Sequence, residues 1–370
     1  SSSSVCVGES GMDTRGGVAM AKPAGALVCW KEKTTCGGKA FRCSSTSMGG
    51  GKLVCVTSGD SLIGSELVKR LLARGYLVRV TIQHQVDFER MKQLMEEEAM
   101  NRLESVVVAK LCDLDSLIGA FRDCYAVFHT SSFIDPRGVS GYSERMAFFE
   151  AEGARNVIEA CSRAACAKRC VFTSSLLASV WKPDGTGGGV VDERSWSDLN
   201  FCRDNKLWLA LGKTAAEKAA RMKAEELRVK LVTLCPGLLM APSFPDAPTE
   251  TSLPYLKGGR AMVERGVLGV VDARRAAEAH VEVYEAMDDG AGGRYHCFER
   301  VVGGAGDAAR LENGIKMPGL LTGGGSSADG GELVSRCALS NSKLRGLLAA
   351  AARRRSCRAI AAAQADASEF

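Results

Sequence analysis

The sequence predicts an α/β fold, with a doubly wound parallel sheet followed by a smaller C-terminal lobe. Short apolar segments of strand type occur six times along the chain, and helical patterns lie between them. The segments are apolar at successive positions, which is typical of parallel strands covered by helices on both faces. Six is also the number of strands in a doubly wound nucleotide-binding sheet.

The first two predicted strands enclose the clearest helix. Residues 52–57 (KLVCVT) form an apolar run, and a turn of small residues follows it. Residues 63–75 then carry apolar side chains at helical spacing, and residues 76–82 (YLVRVTI) form the second strand. The other predicted strands are 105–110, 125–129, 168–173 and 229–235, and the other helices between them are 152–164 and 208–227.

The pattern divides the chain into four parts. Residues 48–236 hold the predicted sheet, and residues 237–320, where the alternation loosens after Pro236, are the predicted smaller lobe for the substrate. Residues 321–370 are predicted to form a flexible Gly-rich segment and a basic Ala-rich tail helix. The Ser- and Gly-rich residues 1–47 are predicted to be a disordered extension or, alternatively, an organelle leader.

The tail helix, over residues 341–364, is expected to be solvated because its apolar face is mostly alanine. Its basic residues leave open contact with a protein partner or a membrane surface.

Composition excludes several classes of protein. The chain has 370 residues, of which 46% are hydrophobic and 25% charged, so a fully disordered chain is excluded. The net charge of +5 is too small to indicate nucleic-acid binding, and no apolar run reaches the ~18 residues of a membrane span.

Fifteen cysteines are many for this length. Six of them lie in apolar segments, where buried thiols of a reduced compartment are expected, and the spacing of the cysteines predicts no metal site. These cysteines are Cys55, Cys112, Cys124, Cys161, Cys170 and Cys235.

The turn between the first strand and the first helix is a candidate phosphate-binding site. Residues 57–64 (TSGDSLIG) follow the strand directly and open the helix. Glycines in such a turn let the backbone approach a pyrophosphate, and the helix start offers N–H groups and a positive dipole. This turn has two glycines, Gly59 and Gly64, and Ser58 and Ser61 occupy neighbouring positions. A turn that binds no ligand is the alternative.

The end of the second strand usually selects between the two dinucleotides. An acid there binds the ribose of NAD, and an arginine binds the 2′-phosphate of NADP. This chain has Gln83 at that place, with the bases Arg79, Arg90 and Lys92 nearby. The local charge favours NADP(H), with NAD(H) as the alternative.

Ordered matches between residue 52 and about residue 300 carry a resemblance to a known family. The chain resembles the cinnamoyl-CoA reductases and dihydroflavonol reductases among the extended short-chain dehydrogenases/reductases (SDRs). The resemblance implies a Rossmann sheet that binds NAD(P), and a cytosolic NADP(H)-dependent reductase of phenylpropanoid-type CoA thioesters, aldehydes or ketones. The matching runs are 54–72, 113–114, 127–131, 170–175, 191–193, 196–199, 208, 212–213, 236–237, 277–280 and 293–295.

The family mechanism uses a serine that holds the substrate oxygen, a tyrosine that donates a proton, and a lysine that activates the tyrosine. The resemblance places the serine at Ser175 and the lysine at Lys213. The tyrosine is expected one helical turn before the lysine, where this chain has Leu209, which cannot donate a proton. Tyr142 and Tyr255 are the alternative sources of a phenol.

The resemblance also implies a set of cofactor-binding residues, which lie at the carboxyl ends of the predicted strands and on the helix that carries the lysine. These are Thr57, Gly59, Ser61, Leu62, Ile63, Gly64, Gln83, Asp113, Leu114, Thr130, Ser131, Lys213, Pro236 and Leu238.

Together these observations predict a cytoplasmic NAD(P)-dependent oxidoreductase that acts on a small molecule, with impaired or altered catalysis because of Leu209. The alternative is a catalytically silent relative that binds a dinucleotide or a protein partner.

Overall fold

The computed structural model describes residues 51–132, 143–164, 168–183, 189–241, 252–323 and 337–367. Its strands are β1 (Leu53–Thr57), β2 (Leu77–Ile82), β3 (Ser105–Val108), β4 (Ala126–His129), β5 (Arg169–Thr173), β6 (Val190–Val191), β7 (Lys230–Pro236), β8 (Leu238–Met240), β9 (Gly269–Asp272), β10 (Gly293–Cys297), β11 (Arg300–Val301) and β12 (Ala338–Leu339). Its helices are α1 (Leu62–Ala73), α2 (Asp87–Leu94), α3 (Glu97–Asn101), α4 (Leu114–Phe121), α5 (Glu144–Arg163), α6 (Leu177–Val180), α7 (Leu199–Asp204), α8 (Trp208–Leu227), α9 (Ser252–Tyr255), α10 (Gly259–Arg265), α11 (Ala273–Glu285), α12 (Ala305–Gly314) and α13 (Ser342–Ala367).

Seven parallel strands form the main sheet, in the order β10-β7-β5-β4-β1-β2-β3. The chain runs outward from β1 to β3, and then returns to β4 on the other side of β1. The direction of winding therefore reverses between β1 and β4, where Val54 pairs with Ala126. Ligands of doubly wound sheets bind in the crevice outside the carboxyl ends of the strands at this switch point.

The sheet is buried on both faces, as its apolar strands predict. In β1, Val54 and Val56 point into a cluster shared with α1 and α11, whereas Cys55 points into a cluster shared with α4, α5 and α8. A third buried cluster joins α8 to the lobe, in which β8, β9 and β11 form a three-stranded sheet beside α10 and α12.

The six predicted strands are all confirmed, but the sequence missed a seventh. Gly293–Cys297 forms β10 at the edge of the main sheet, although these residues lie within the segment that was predicted to form the lobe. The pattern was obscured because Arg294 and His296 are polar and yet buried. Helix α5 begins at Glu144, eight residues before the predicted start at residue 152.

The expectation of a solvated tail helix is wrong for the first half of α13. Leu344 and Ala351 are buried there, and Leu344 packs against the cluster that contains α1 and α11. Arg355 also pairs with the buried Glu282, and Arg354 lies 3.8 Å from Asp289. The alanine-rich face is thus partly covered, because the helix carries leucines at its start.

Five of the six cysteines predicted to be buried are buried. Cys112 is exposed because it lies in the turn between β3 and α4, while the other five are buried free thiols. Among the described residues, no helix is both long and apolar enough to cross a bilayer. The predicted N-terminal extension (residues 1–47), most of the Gly-rich segment and Tyr142 lie outside the described residues.

Candidate active site

Hydrogen bonds join the ends of β1 and β4 at the switch point. The Thr57 hydroxyl oxygen accepts from the backbone N–H groups of Thr130 (3.0 Å) and Ser131 (3.2 Å). The hydroxyls of Ser58 and Ser131 lie 2.6 Å apart. The structure therefore brings together three of the predicted cofactor-binding residues, Thr57, Thr130 and Ser131.

His129 completes this junction in its neutral form. The Thr57 hydroxyl lies 3.1 Å from Nδ1 of His129. Since both lone pairs of the hydroxyl accept N–H groups, its hydrogen is donated to Nδ1, which must be unprotonated. Burial, together with the nearby charge of Lys213, lowers the pKa of His129 to about 4, so the ring is uncharged at neutral pH.

The turn after β1 leaves no space for side chains at its two glycines. A Cβ atom at Gly59 would lie 2.3 Å from Val80, and one at Gly64 would lie 2.1 Å from the Ser58 carbonyl oxygen, so both positions require glycine. Ser58 adopts a left-handed backbone conformation with φ of 51°, which glycine adopts more readily. The path of the backbone therefore fits a dinucleotide pyrophosphate at the start of α1.

Ser61 occupies part of the polar surface that such a ligand would use. Its hydroxyl caps α1 by accepting from the backbone N–H of Gly64 at 3.1 Å, and it donates to the Ser58 carbonyl at 2.8 Å. Leu62 and Ile63 form the first turn of α1. One amide of the helix start is thus already bonded within the chain.

Three further predicted cofactor-binding residues, Gln83, Asp113 and Leu114, follow β2 and β3 at the same edge of the sheet. Gln83 is half-buried directly after β2, and Asp113 is exposed, caps α4 and precedes Leu114. Arg79 does not lie at this edge as a phosphate ligand. Its guanidinium donates to Glu104 at 3.0 Å and to the carbonyls of Ala120 and Arg122, so Arg79 is not a base that favours NADP(H) over NAD(H).

Two more of the predicted cofactor-binding residues, Pro236 and Leu238, lie at the end of β7 and the start of β8. Pro236 ends β7, and its carbonyl accepts from Leu176 at 2.9 Å, which holds the segment after β5 against it. The Leu238 side chain is buried in the lobe cluster. A Cβ atom at Gly237 would lie 2.4 Å from the Gly269 carbonyl oxygen, so the backbone passes the lobe sheet very closely here.

Ser175 lies after β5, beside a buried ion pair. Its hydroxyl accepts from the backbone N–H of Leu177 at 3.2 Å. The neighbouring Ser174 donates to Glu217 at 2.7 Å, and Glu217 pairs with Arg294 at 2.6 Å, both side chains being almost fully buried. The segment that carries Ser175 is therefore fixed to α8 and β10.

Lys213 reaches the same edge and has an acidic partner there. Its ammonium lies 2.6 Å from Oε1 of Glu150, and both side chains are largely buried. Ser132, which follows β4, donates to the same carboxylate at 3.0 Å. The arrangement holds the positive charge of Lys213 near the end of β4, where it can stabilise negative charge on a substrate oxygen.

No phenol takes the place of Leu209 among the described residues near Lys213. The Leu209 side chain is buried in the apolar cluster between α8 and the lobe. Tyr255 belongs to the same cluster, and burial raises its pKa, which makes it a poorer proton donor.

Sequence reasoning missed Glu150 and Ser132. A usable signal exists for Glu150, because it shares the buried helical face of α5 with Ala147, Ala151 and Ala154, where an acid needs a partner. It was overlooked because the predicted helix started after it. No comparable signal marks Ser132.

Comparison with known proteins identifies the family and the fold of the chain. Residues 55–230 match the 3-beta hydroxysteroid dehydrogenase/isomerase family. Cinnamoyl-CoA reductase 1 of Petunia hybrida is 37% identical over 255 residues, which cover 68% of this chain and 74% of that protein. Vestitone reductase from alfalfa has a TM-score of 0.58 at 26% identity, covering 80% of this chain and 91% of its own. Yeast Gre2, a methylglyoxal/isovaleraldehyde reductase solved with NADPH, has a TM-score of 0.60 at 22% identity, covering 80% and 93%.

The fold and the edge of the sheet described above define an extended SDR with a Rossmann fold, a class of NAD(P)-dependent oxidoreductases. Within that class, the chain belongs to the family that contains the cinnamoyl-CoA reductases. The family and the fold predicted from the sequence are confirmed.

Proposed function

We propose that this protein is an NADPH-dependent reductase of a phenylpropanoid-type carbonyl compound or CoA thioester. The observation that carries the proposal is the convergence of the phosphate turn, Ser175 and Lys213 at one edge of the sheet, next to the switch point. The relation to cinnamoyl-CoA reductase and the NADPH bound to Gre2 support the substrate class and the cofactor.

The cofactor would lie along the carboxyl ends of β1 to β4. Residues 57–64 would hold the pyrophosphate, Gln83, Asp113 and Leu114 the adenosine side, and Thr130, Lys213 and Pro236 the nicotinamide side. NADPH, when bound, supplies the hydride. The lobe, residues 237–320, would cover the substrate from the other side, because its cluster packs on the start of α8.

Lys213 takes over proton donation in this proposal, because Leu209 cannot perform it. Ser175 holds the substrate oxygen, the ammonium of Lys213 gives it a proton, and the amine regains a proton from water. Glu150 is a positioning residue, because its carboxylate lies 2.6 Å from the Lys213 ammonium and holds it at this edge. Loss of a general acid typically costs ~10²–10⁴ in rate, so turnover slower than in phenol-containing relatives is expected.

A catalytically silent dinucleotide-binding protein is the second candidate. The burial of Leu209 and Tyr255 in an apolar cluster favours it, since neither side chain can deliver a proton there. Binding of a protein partner through the tail has less support, because Arg355 is used in an ion pair within the chain. The free cysteines support a reduced compartment such as the cytoplasm for either candidate.

The test begins with a titration of the full chain with NADPH and NADH, followed by calorimetry. Turnover of hydroxycinnamoyl-CoA esters and the matching aldehydes is then measured. The variants are Leu209→Tyr, Leu211→Tyr as a matched control on the same buried helix, Lys213→Ala and Glu150→Gln. We expect micromolar NADPH binding and slow turnover by the wild type, lost in Lys213→Ala and reduced in Glu150→Gln with an unchanged affinity for NADPH.

Two results would contradict the reductase proposal in different ways. If NADPH binds but only Leu209→Tyr turns over, the chain is the silent dinucleotide-binding protein. If neither dinucleotide binds up to millimolar concentration, the phosphate turn does not bind a dinucleotide and the reductase proposal fails entirely.

A further inference from the structure

A cavity lies at the edge of the sheet opposite to the candidate active site. Its volume is about 400 Å³, and it lies between the C-terminal half of α8 and the first residues of β7 and β10. Arg221 and Glu225 line it from α8, Lys230 and Thr233 from β7, and Gly293 from β10. Because β7 begins at this edge and ends at the active-site edge, the two sites are separate.

Thr233 is the most informative residue of this cavity. This residue is 1% exposed, and its hydroxyl has no hydrogen-bond partner among the described residues. The neighbouring Arg294 donates to Glu217 and Ser179 instead. A buried hydroxyl without a partner is unfavourable, and valine has the same shape without this cost. An acceptor atom brought by a ligand would satisfy the hydroxyl.

The rim of the cavity is positively charged. Arg221 is half-buried, and Arg228 and Lys230 are exposed. Within the described part of the chain none of these three bases forms an ion pair. Glu225 is the acid of the lining, which leaves an excess of two positive charges.

The dipole of α8 does not explain these features. Bases near the carboxyl end of a helix complement its negative pole. The carbonyls of Ala224 and Glu225 at this end already accept from the backbone N–H of Arg228. Among the described residues neither the Arg221 nor the Arg228 guanidinium donates a hydrogen bond, and Arg221 lies over the ring of Trp196 at 5.9 Å. The dipole also gives no reason for a buried hydroxyl at Thr233.

We propose that this cavity binds a small molecule that carries a phosphate group. A phosphate oxygen would accept from the Thr233 hydroxyl, and the remaining charge would face Arg221 and Arg228. Guanidinium groups match the geometry of phosphate oxygens and bind them more specifically than an ammonium does. The proposal is independent of the reductase activity, since no residue of the candidate active site takes part.

Trp196 provides a local signal for the test. Its ring lies 3.8 Å from the guanidinium carbon of Arg294 and 5.9 Å from that of Arg221. A ligand that draws Arg221 toward the cavity would change the emission of this tryptophan. The variant Trp196→Phe identifies the part of the signal that comes from it.

The experiment titrates the full chain, free of dinucleotide, with inorganic phosphate and with glycerol phosphate at constant ionic strength. We expect a saturable change in fluorescence and a rise in the melting temperature. The apparent affinity that these two readouts report should fall about tenfold in Arg221→Ala and in the near-isosteric Thr233→Val. Arg260→Ala, which removes an exposed arginine of the lobe, should bind like the wild type.

A variant of the phosphate turn separates the two anion sites. Ser61→Asp places a negative charge at the start of α1 and should leave the response of the cavity intact. The proposal is overturned if phosphate gives no saturable response, as expected for a cavity that holds only water. It is also overturned if Thr233→Val binds as well as the wild type, if Ser61→Asp abolishes the response, or if citrate binds as tightly as phosphate.

Discussion

Ser61 lies where helix α1 begins, and its hydroxyl bonds the backbone N–H of Gly64 that an anionic ligand of this turn would use. A helix start is a ready binding site for phosphate because its first amides lack partners within the helix. A serine at this position satisfies one of these amides in the absence of ligand. The dinucleotide must therefore replace an existing hydrogen bond when it binds.

The substitution Ser61→Gly tests this competition. Glycine caps helices almost as well as serine, so the cost to stability is a few tenths of a kcal/mol. The freed amide of Gly64 gains a hydrogen bond to the pyrophosphate, worth ~1 kcal/mol, and the dissociation constant for NADPH should fall about fivefold. Calorimetric titration measures it. Asp198→Gly, which removes the cap of α7 elsewhere, should not change NADPH affinity.

Single residues differ in how well the sequence predicts their role. The loss of the phenol at Leu209 could be predicted because its distance from Lys213 is one helical turn within the same helix. The contact of Lys213 with Glu150 joins residues 63 positions apart in sequence. Such a pairing depends on how α5 packs against α8, and helical periodicity does not determine that packing.

At the scale of elements, a buried ion pair joins α8 to β10. Glu217 and Arg294 lie 2.6 Å apart, and both are almost fully buried. Arg294 also donates to the hydroxyl of Ser179 at 2.8 Å, and Glu217 accepts from Ser174. The pair thus joins three elements around the segment that carries Ser175.

Glu217→Gln should destabilise the protein strongly. Glutamine carries no charge, so the Arg294 guanidinium stays buried without its counterion. We expect this to lower the free energy of unfolding by about 3–5 kcal/mol. Urea unfolding followed by circular dichroism measures the change. The matched control is Glu264→Gln, which breaks the exposed pair with Arg260 and should cost below about 1 kcal/mol. Equal losses of stability in the two variants would show that the buried pair stabilises the protein no more than the exposed pair does.

The same pair explains why the sequence predicted six strands of the sheet and missed the seventh. The predicted strands are mainly apolar runs, a pattern that depends only on neighbouring residues. Gly293–Cys297 contains an arginine and a histidine whose partners lie elsewhere in the chain. Only the folded structure supplies Glu217 and Ser179 to these side chains, so local periodicity could not reveal this strand.

At the scale of the whole molecule, three buried histidines connect distant parts of the chain. His129 contacts Thr57, His280 contacts Thr173 at 2.8 Å, and the third, in β10, contacts Ser179 at 2.9 Å. Burial is the first cause that lowers the pKa of each imidazole, from 6.5 to about 4. All three rings are therefore neutral in the folded protein at pH 7.

These histidines predict that the protein loses stability in mild acid. The unfolded chain binds protons on them near pH 6.5, whereas the folded chain binds them only near pH 4. Since the unfolded state binds more protons in this window, the free energy of unfolding falls as the pH falls. Each histidine should contribute up to ~1.4 kcal/mol per pH unit, and about 3 kcal/mol over the whole window.

Urea unfolding at a series of pH values between 7 and 4.5 measures this dependence. His280→Gln should reduce the slope of the free energy of unfolding against pH, between pH 6 and 5, by about 1.4 kcal/mol per pH unit. This is the contribution of one proton, because one buried imidazole no longer titrates. His84→Gln is the control, since His84 is exposed and should leave the slope unchanged. A slope that His280→Gln does not alter would mean that this imidazole is protonated in the folded protein. Its Nε2 could then no longer accept a hydrogen bond from the hydroxyl of Thr173.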